Sequence, residues 1–141
     1  MRLSNKEGGK MQKLSVKTSR KNELVDITAQ IKRTVDSVGV KDGICVVFCP
    51  HTTAGLTINE AFDPSVKDDI LFSLNKISPD YKEFRHSEGN SDGHVKASLT
   101  GSSLNLIIKD GNIKLGQWQG IYFTEFDGPR NREICIKIIK V

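Results

Sequence analysis

The chain is short of cysteine, aromatic residues and long apolar runs, and each shortage excludes a class of protein. Its three cysteines are an odd number, which argues against a disulfide framework and for reduced thiols in the cytoplasm. Aromatic residues, 6% of the chain, form no compact motif with basic residues of the kind that stacks on nucleic acid. No apolar run approaches the roughly 20 residues that cross a bilayer. The sequence therefore predicts a cytoplasmic protein without a membrane span.

Positive charge is concentrated near the N-terminus. Residues 1–41 contain ten Lys or Arg against four Asp or Glu, whereas the remainder has a small acidic excess. We interpret the basic excess as a solvated surface, so no nucleic-acid partner is expected. Residues 1–10 are polar and lack the apolar segment of a secretory signal. A length of 141 residues fits a disordered tail over residues 1–10 and a single domain over residues 11–141.

Apolar periodicity in the first third of the chain predicts two strands and a helix. Residues 11–18 and 23–27 alternate in polarity, and residues 19–22 between them are expected to form a hairpin turn. Thr28 is predicted to cap a short amphipathic helix that ends near Gly39.

The middle of the chain predicts two more strands and a second helix. Residues 43–49 are continuously apolar, as in a buried strand, and residues 56–60 alternate. Asp63 is a candidate N-cap for a helix that begins at Pro64 and ends before Pro79.

The last part of the chain is predicted to be a long loop followed by strands. Residues 81–93 are polar and without periodicity. Strand-like runs then cover residues 95–99, 103–109, 115–126 and 132–141. The order of elements lacks regular βα alternation, so the expected fold class is α+β, a mainly antiparallel β-sandwich with two helices.

All three histidines lie in loop-like segments beside acidic or hydroxyl side chains. His51 precedes two threonines, whereas His86 and His94 flank a polar segment that contains two glycines. Neutral imidazoles are good zinc ligands, and three of them with one open position for water form a known catalytic arrangement. The pattern predicts a metal or acid/base site if folding gathers the three rings. Otherwise they are scattered surface histidines.

Two other clusters carry charged side chains. Glu60 ends a predicted strand, where a carboxylate needs water or a partner. Near the C-terminus, Arg130 and Arg132 lie in or beside a Gly-Pro turn, and the planar guanidinium suits phosphate. Glu125 and Asp127 precede this turn on one face of a predicted strand, where two close carboxylates disfavour ionisation of both unless cations intervene.

These stretches together resemble the YjbQ family, also called the secondary thiamine-phosphate synthase family. The resemblance covers roughly residues 11–141 and is carried by three motifs, namely residues 51–60 (HTTAGLTINE), residues 90–96 (NSDGHVK) and residues 116–130, which begin GQWQ and end EFDGPR.

The resemblance implies an α+β fold with a β-sandwich, assembly as a homotrimer, and a histidine-rich polar site near subunit boundaries. It also implies a weak or secondary activity that joins a hydroxymethylpyrimidine diphosphate to a thiazole phosphate. By motif position the implied site residues are His51, Glu60, His86, Asn90, Asp92, His94, Gln119, Glu125, Asp127 and Arg130.

From the residues and the resemblance together we assign expected roles. The expected metal ligands are His51, His86 and His94, for zinc or magnesium. The expected catalytic residues are Glu60, Gln119, Asp127 and Arg130. Contacts to a phosphorylated metabolite are expected from Thr52, Thr53, Asn90, Asp92, Lys96, Arg130 and Arg132. The alternatives are a metal-dependent phosphate-ester hydrolase and a non-catalytic protein that binds a metal or metabolite.

Overall fold

A computed structural model describes residues 9–141, and its strands are divided between two sheets. The strands are β1 (Gln12–Lys17), β2 (Glu23–Asp26), β3 (Gly43–Phe48), β4 (Ala54–Glu60), β5 (Ser103–Lys109), β6 (Asn112–Ile113), β7 (Gln119–Glu125) and β8 (Asn131–Lys140). The helices are α1 (Thr28–Val38), α2 (Pro64–Ile77) and α3 (Ser91–Thr100). The expected α+β class is confirmed, with three helices in the described residues instead of two.

The strands form two antiparallel sheets. The larger sheet has the order β1-β8-β3-β5-β6, and the smaller has the order β2-β7-β4. Period-two alternation directs one face of each strand inward. In β3, for example, Cys45 and Val47 are fully buried whereas Phe48 is exposed. Side chains of both sheets and of α1 share one apolar core.

The outer faces of the two sheets differ. The smaller sheet is covered by α3, which contacts β4 and β7, and by α2, which contacts β2. Helix α1 contacts β6 of the larger sheet and β7 of the smaller one, and its buried side chains join the core. Helix α2 begins as expected, because the Asp63 carboxylate accepts a hydrogen bond from the Ser65 N–H at 2.9 Å. No helix among residues 9–141 is both long and apolar enough to span a membrane.

Helix α3 replaces a predicted strand over residues 95–99. Its buried positions are Asp92, Gly93, Lys96 and Ala97. They are spaced as one helical face, but two of them are charged and two are small. A search for apolar periodicity therefore cannot find this face.

The predicted hairpin between the first two strands is also wrong. β1 pairs with β8 and β2 pairs with β7, so the chain passes from one sheet to the other between them. The connecting segment also bonds to the β7–β8 loop, since the Gly128 N–H donates to the Lys21 carbonyl at 3.1 Å. The tail predicted over residues 1–10 lies almost wholly outside the described residues and stays a prediction.

Candidate functional site

A polar cavity of about 460 Å³ lies where β3, α3 and the β7–β8 loop meet. It contains all three histidines of the chain. Its lining residues are Pro50, His51, Thr52, Thr53, His86, Glu88, Asn90, His94, Asp127, Arg130 and Arg132. Residues separated by some 80 positions in the chain therefore share one cavity, which has the size of an ordinary small-ligand pocket.

Backbone contacts bring these segments together. The Phe126 N–H donates to the Thr53 carbonyl at 3.1 Å, which joins the loop after β3 to the loop after β7. Gly93 then lets α3 approach closely, because a Cβ at this position would lie 2.8 Å from the Phe126 carbonyl oxygen. Most of the lining residues thus lie in loops that adjoin strand ends or the start of α3, and these backbone contacts hold the loops together.

His51 occupies the place where the β3 ladder would continue along β8. Its Nε2 atom lies 2.9 Å from the Glu133 carbonyl oxygen and 3.1 Å from the Glu133 backbone nitrogen. One ring nitrogen satisfies the strand edge, so the Nδ1 atom is the nitrogen free of this contact. A hydrogen bond at one ring nitrogen fixes the orientation of an imidazole whose other nitrogen binds a ligand or metal.

His86 and His94 form the second part of the imidazole cluster. Their ring centroids are 5.3 Å apart at an interplanar angle of 81°. His51 lines the same cavity. Nevertheless, within residues 9–141 no three His, Cys, Asp or Glu side chains are already arranged around one ion position. The expected three-histidine centre is therefore not preformed in this part of the chain.

Asp127 connects an amide and an arginine at the mouth of the cavity. Its Oδ2 atom accepts hydrogen bonds from the Asn90 amide and from the Arg130 guanidinium, both at 2.8 Å. Arg130 Nε donates to the Asp127 carbonyl oxygen, also at 2.8 Å. Since the Arg130 side chain is half exposed, its remaining donors can reach an anion. Asp127 is held as an acceptor for these two partners, which suits an orienting role better than proton transfer.

Glu125 and Arg132 form a second, buried pair beneath the first. Both side chains are almost fully buried, and Arg132 Nε donates to Glu125 at 2.8 Å. The guanidinium also donates to Thr53 Oγ1 at 2.9 Å. Glu125 accepts further bonds from the Thr18 hydroxyl at 2.8 Å and from the Asp127 N–H at 3.0 Å. These bonds tie both cavity loops to one carboxylate.

The surroundings of Glu125 decide its charge. Burial alone would raise the pKa of this carboxyl, but the hydrogen bonds from Arg132, Asp127 and Thr18 lower it, and the net result is a pKa below the ordinary value. Glu125 is thus an ionised scaffold. Arg132 was expected to bind phosphate, yet its side chain is already engaged by Glu125 and Thr53.

Two expected phosphate contacts, Asp92 and Lys96, do not line the cavity. Both side chains are buried on α3, where Asp92 accepts a hydrogen bond from Lys21 Nζ at 2.9 Å and Lys96 donates to Asn75 of α2. Burial is the main cause that lowers the pKa of Lys96. Burial raises the pKa of Asp92, but Lys21 brings it below the ordinary value. Helical geometry turns these residues away from His94.

Glu60 and Gln119 also lie outside the histidine cavity. They pair with each other in the β4–β7 register, at the opposite end from the Ala54–Glu125 pair. Six residues of strand separate the two ends, a distance of about 20 Å. Glu60 instead lines a surface notch with the exposed Phe62 and Trp118 rings. Within one chain these two expected catalytic residues cannot reach the imidazoles.

Two of the three thiols belong to the apolar core. Cys45 and Cys49 are buried, as expected, and burial raises the pKa of Cys45 to about 11. Neither is suited to act as a nucleophile at neutral pH.

Thr18 and Lys21 anchor Glu125 and Asp92. The sequence suggested only the end of a strand at Thr18 and a turn at Lys21, and no local pattern marks either residue.

The fold and cavity define an α+β protein with a polar cavity at one end of two antiparallel sheets. Residues 12–141 match the sequence model of the family described as "UPF0047 protein YjbQ-like". The chain belongs to this family.

Individual relatives are similar in sequence to this chain along most of their length. The UPF0047 protein MJ1081 of Methanocaldococcus jannaschii is 56% identical over 90% of this chain and 92% of its own. UPF0047 protein YugU of Bacillus subtilis is 44% identical over 89% of this chain and 96% of its own. A crystal structure of a YjbQ/UPF0047 family protein from Clostridium acetobutylicum superposes with a TM-score of 0.89 at 57% identity, covering 91% of this chain and 99% of that one.

Proposed function

We propose that the histidine cavity binds a phosphorylated small metabolite and catalyses a transfer of the thiamine-phosphate synthase type. The observation that carries the proposal is the position of Arg130. Its guanidinium is oriented by Asp127 and remains half exposed beside three imidazoles. Oriented cationic donors at the place where anionic charge develops are a large source of catalysis.

The proposed reaction joins hydroxymethylpyrimidine diphosphate to thiazole phosphate. The bond between the pyrimidine methylene carbon and the diphosphate oxygen breaks, and its electron pair leaves with the diphosphate. The thiazole nitrogen supplies the pair for the new C–N bond, so thiamine phosphate and diphosphate are the products. Arg130 stabilises the negative charge that grows on the departing oxygens. Asn90 donates a hydrogen bond to Asp127 and so keeps this carboxylate in place to orient Arg130.

A divalent cation, zinc or magnesium, is part of the proposal. His86 and His94 would hold it, and His51 would contribute after a side-chain rotation. When bound, the ion would neutralise charge on the leaving diphosphate. Elemental analysis of protein purified without chelator tests this part, and a His86→Ala variant should retain less metal than a variant that removes an exposed residue elsewhere.

The assay for the transfer uses the purified chain, produced in a host that lacks its own thiamine-phosphate synthase. Mg²⁺ and both substrates should yield thiamine phosphate, and Arg130→Ala should lose most of this activity. Arg33→Ala is the matched control, because Arg33 is an exposed arginine of α1 outside the cavity. Equal product from both variants would refute the proposed role of the cavity.

The same preparation separates the alternatives. Release of inorganic phosphate from simple esters without thiamine phosphate would favour a hydrolase. Tight ligand binding without turnover of either kind would favour a binding protein. Each of these results would replace the proposed transferase.

We also propose that the chain assembles as a cytoplasmic homotrimer through the outer face of the larger sheet. Ile44 pairs with Ile107 of β5 on one side and with Ile139 of β8 on the other, so the three isoleucines form a row across adjacent strands. Their exposed fractions are 38%, 63% and 44%, and such patches commonly mark interfaces. The cytoplasmic location rests on three free thiols.

Light scattering tests the assembly. The unaltered chain should have the mass of three copies, and Ile44→Asp should lower it, whereas Ala29→Asp, at an exposed position of α1 away from this sheet, should not. A monomeric mass for the unaltered chain would refute the trimer.

A further inference from the structure

A second cavity of about 520 Å³ lies against the histidine cavity. The two share His51, Thr52 and His94, and these residues form the boundary between them. The remaining lining of the second cavity comes from β4, α3 and the turn after α3, through Ala54, Ala97, Ser98, Gly101 and Ser102. Both cavities therefore open onto the same two imidazoles.

The chemistry of the two cavities differs. Glu88, Asp127 and the two arginines line the first. Apart from the two shared imidazoles, the second is lined only by uncharged side chains, and most of these are small. A phosphate placed in it would have no guanidinium partner. An uncharged ring would find hydroxyl groups for its polar atoms and open space for its faces.

The wall of the second cavity is firmly anchored. The Leu56 N–H donates to the Gly101 carbonyl at 3.0 Å, and the Cys49 N–H donates to the Ser102 carbonyl at 2.8 Å. A Cβ on Gly55 would lie 2.4 Å from the Gly101 carbonyl oxygen, so the turn rests directly on β4. The space is consequently part of the fold and not a gap beneath a loose segment.

We infer that the two cavities are two lobes of one site, which takes an elongated reactant with an uncharged heterocycle at one end and a phosphate ester at the other. The phosphate lies in the lobe with Arg130. The heterocycle lies in the uncharged lobe beside Ser98. The bond between them falls at His51 and His94. This inference rests on the proposed function for the phosphate lobe and for the two-part reactant, and it adds the place where the uncharged end binds.

The test measures the two ends separately. Hydroxymethylpyrimidine without phosphate probes the uncharged lobe, and inorganic diphosphate probes the charged lobe, each by calorimetry on the full chain. Ser98→Leu, which fills the uncharged lobe, should weaken binding of the pyrimidine about tenfold or more. The same variant should leave the affinity for diphosphate within about twofold, because the altered side chain is remote from Arg130. Arg130→Ala should show the reverse pattern.

Ser37→Leu is the matched control. Ser37 of α1 is exposed and its hydroxyl donates to a carbonyl within its own helix, as that of Ser98 does. It should leave both affinities unchanged. Pyrimidine affinity that is equal in Ser98→Leu and the unaltered chain would overturn the two-lobe inference, as would diphosphate binding without any pyrimidine binding. Separate binding of both probes without turnover would instead support the two lobes while refuting the proposed transfer.

Discussion

Two carboxylate–arginine pairs lie two positions apart at the end of β7, and their surroundings give them different tasks. Glu125 and Arg132 are almost fully buried, whereas the Asp127 side chain is 19% exposed and that of Arg130 is 50% exposed. The buried pair has its hydrogen bonds satisfied by Thr18, Thr53 and backbone groups. The outer pair leaves guanidinium donors open to solvent. The comparison separates residues that hold the cavity from a residue that can bind a ligand.

The same comparison explains why two pairs made of the same chemical groups contribute differently to the free energy of unfolding. Breaking a buried ion pair leaves one charge without water or a partner, which is costly. Breaking an exposed pair returns both groups to water, which costs little free energy. Substitutions in the two pairs should therefore separate stability from binding.

Glu125→Gln should have the largest effect. It leaves the Arg132 guanidinium buried without a counter-charge, and we expect the free energy of unfolding to fall by about 3–5 kcal/mol. Urea titration at fixed protein concentration measures the change. Glu133→Gln is the control, because Glu133 forms only an exposed pair with Lys13 at 3.6 Å. A loss below about 1 kcal/mol in Glu125→Gln would place the pair among ordinary surface pairs.

The acid dependence of stability should follow the same carboxylate. The folded pKa of Glu125 is below its ordinary value of 4.5, so between these two pKa values the unfolded chain binds more protons than the folded chain. The contribution of Glu125 is therefore complete above the unfolded pKa and is lost as pH falls through the folded pKa. Urea titrations between about pH 5 and pH 3 should show a shallower loss of stability in Glu125→Gln than in the unaltered chain. Parallel curves would contradict this assignment.

Replacement of each arginine by lysine makes the same chemical change in both pairs and so compares them directly. Arg132→Lys keeps the charge but lacks the planar fork of N–H groups that donates to Glu125 and Thr53, so we expect a loss of about 1–3 kcal/mol in the free energy of unfolding. Arg130→Lys alters a half-exposed side chain and should change stability by less than about 0.5 kcal/mol. The two values come from the same urea titration, and equal losses would remove the distinction between the pairs.

Much of this fold could be predicted from local patterns. The strands over residues 43–49 and 103–109 and the Asp63 cap follow from apolar content and capping chemistry, which act over a few residues. Helix α3 could not be predicted in this way, because its buried face is built from Asp92, Gly93, Lys96 and Ala97. Their burial depends on partners such as Lys21 and Asn75, which are distant in the sequence.

The candidate site was predictable to a similar extent. Motif order pointed to His51, His86 and His94, and the three do share a cavity. It could not show that Glu60 and Gln119 lie at the end of the strands far from the imidazoles. A motif shows which residues are close in sequence, but it does not show which end of a strand faces the site. Nor could it show that Glu125 and Arg132 satisfy each other. A charged residue in an alternating strand is compatible with either face until its partner is known.

Asp127→Asn should have the smallest effect, and it tests the outer pair from the carboxylate side. Asparagine keeps an oxygen that can accept a bond from Asn90 or Arg130, and solvent already reaches both charged groups. We expect the free energy of unfolding to change by less than about 1 kcal/mol. A urea titration at neutral pH provides the value. A loss as large as that of Glu125→Gln would mean that Asp127 also supports the fold, and the division between a supporting pair and a binding pair would fail.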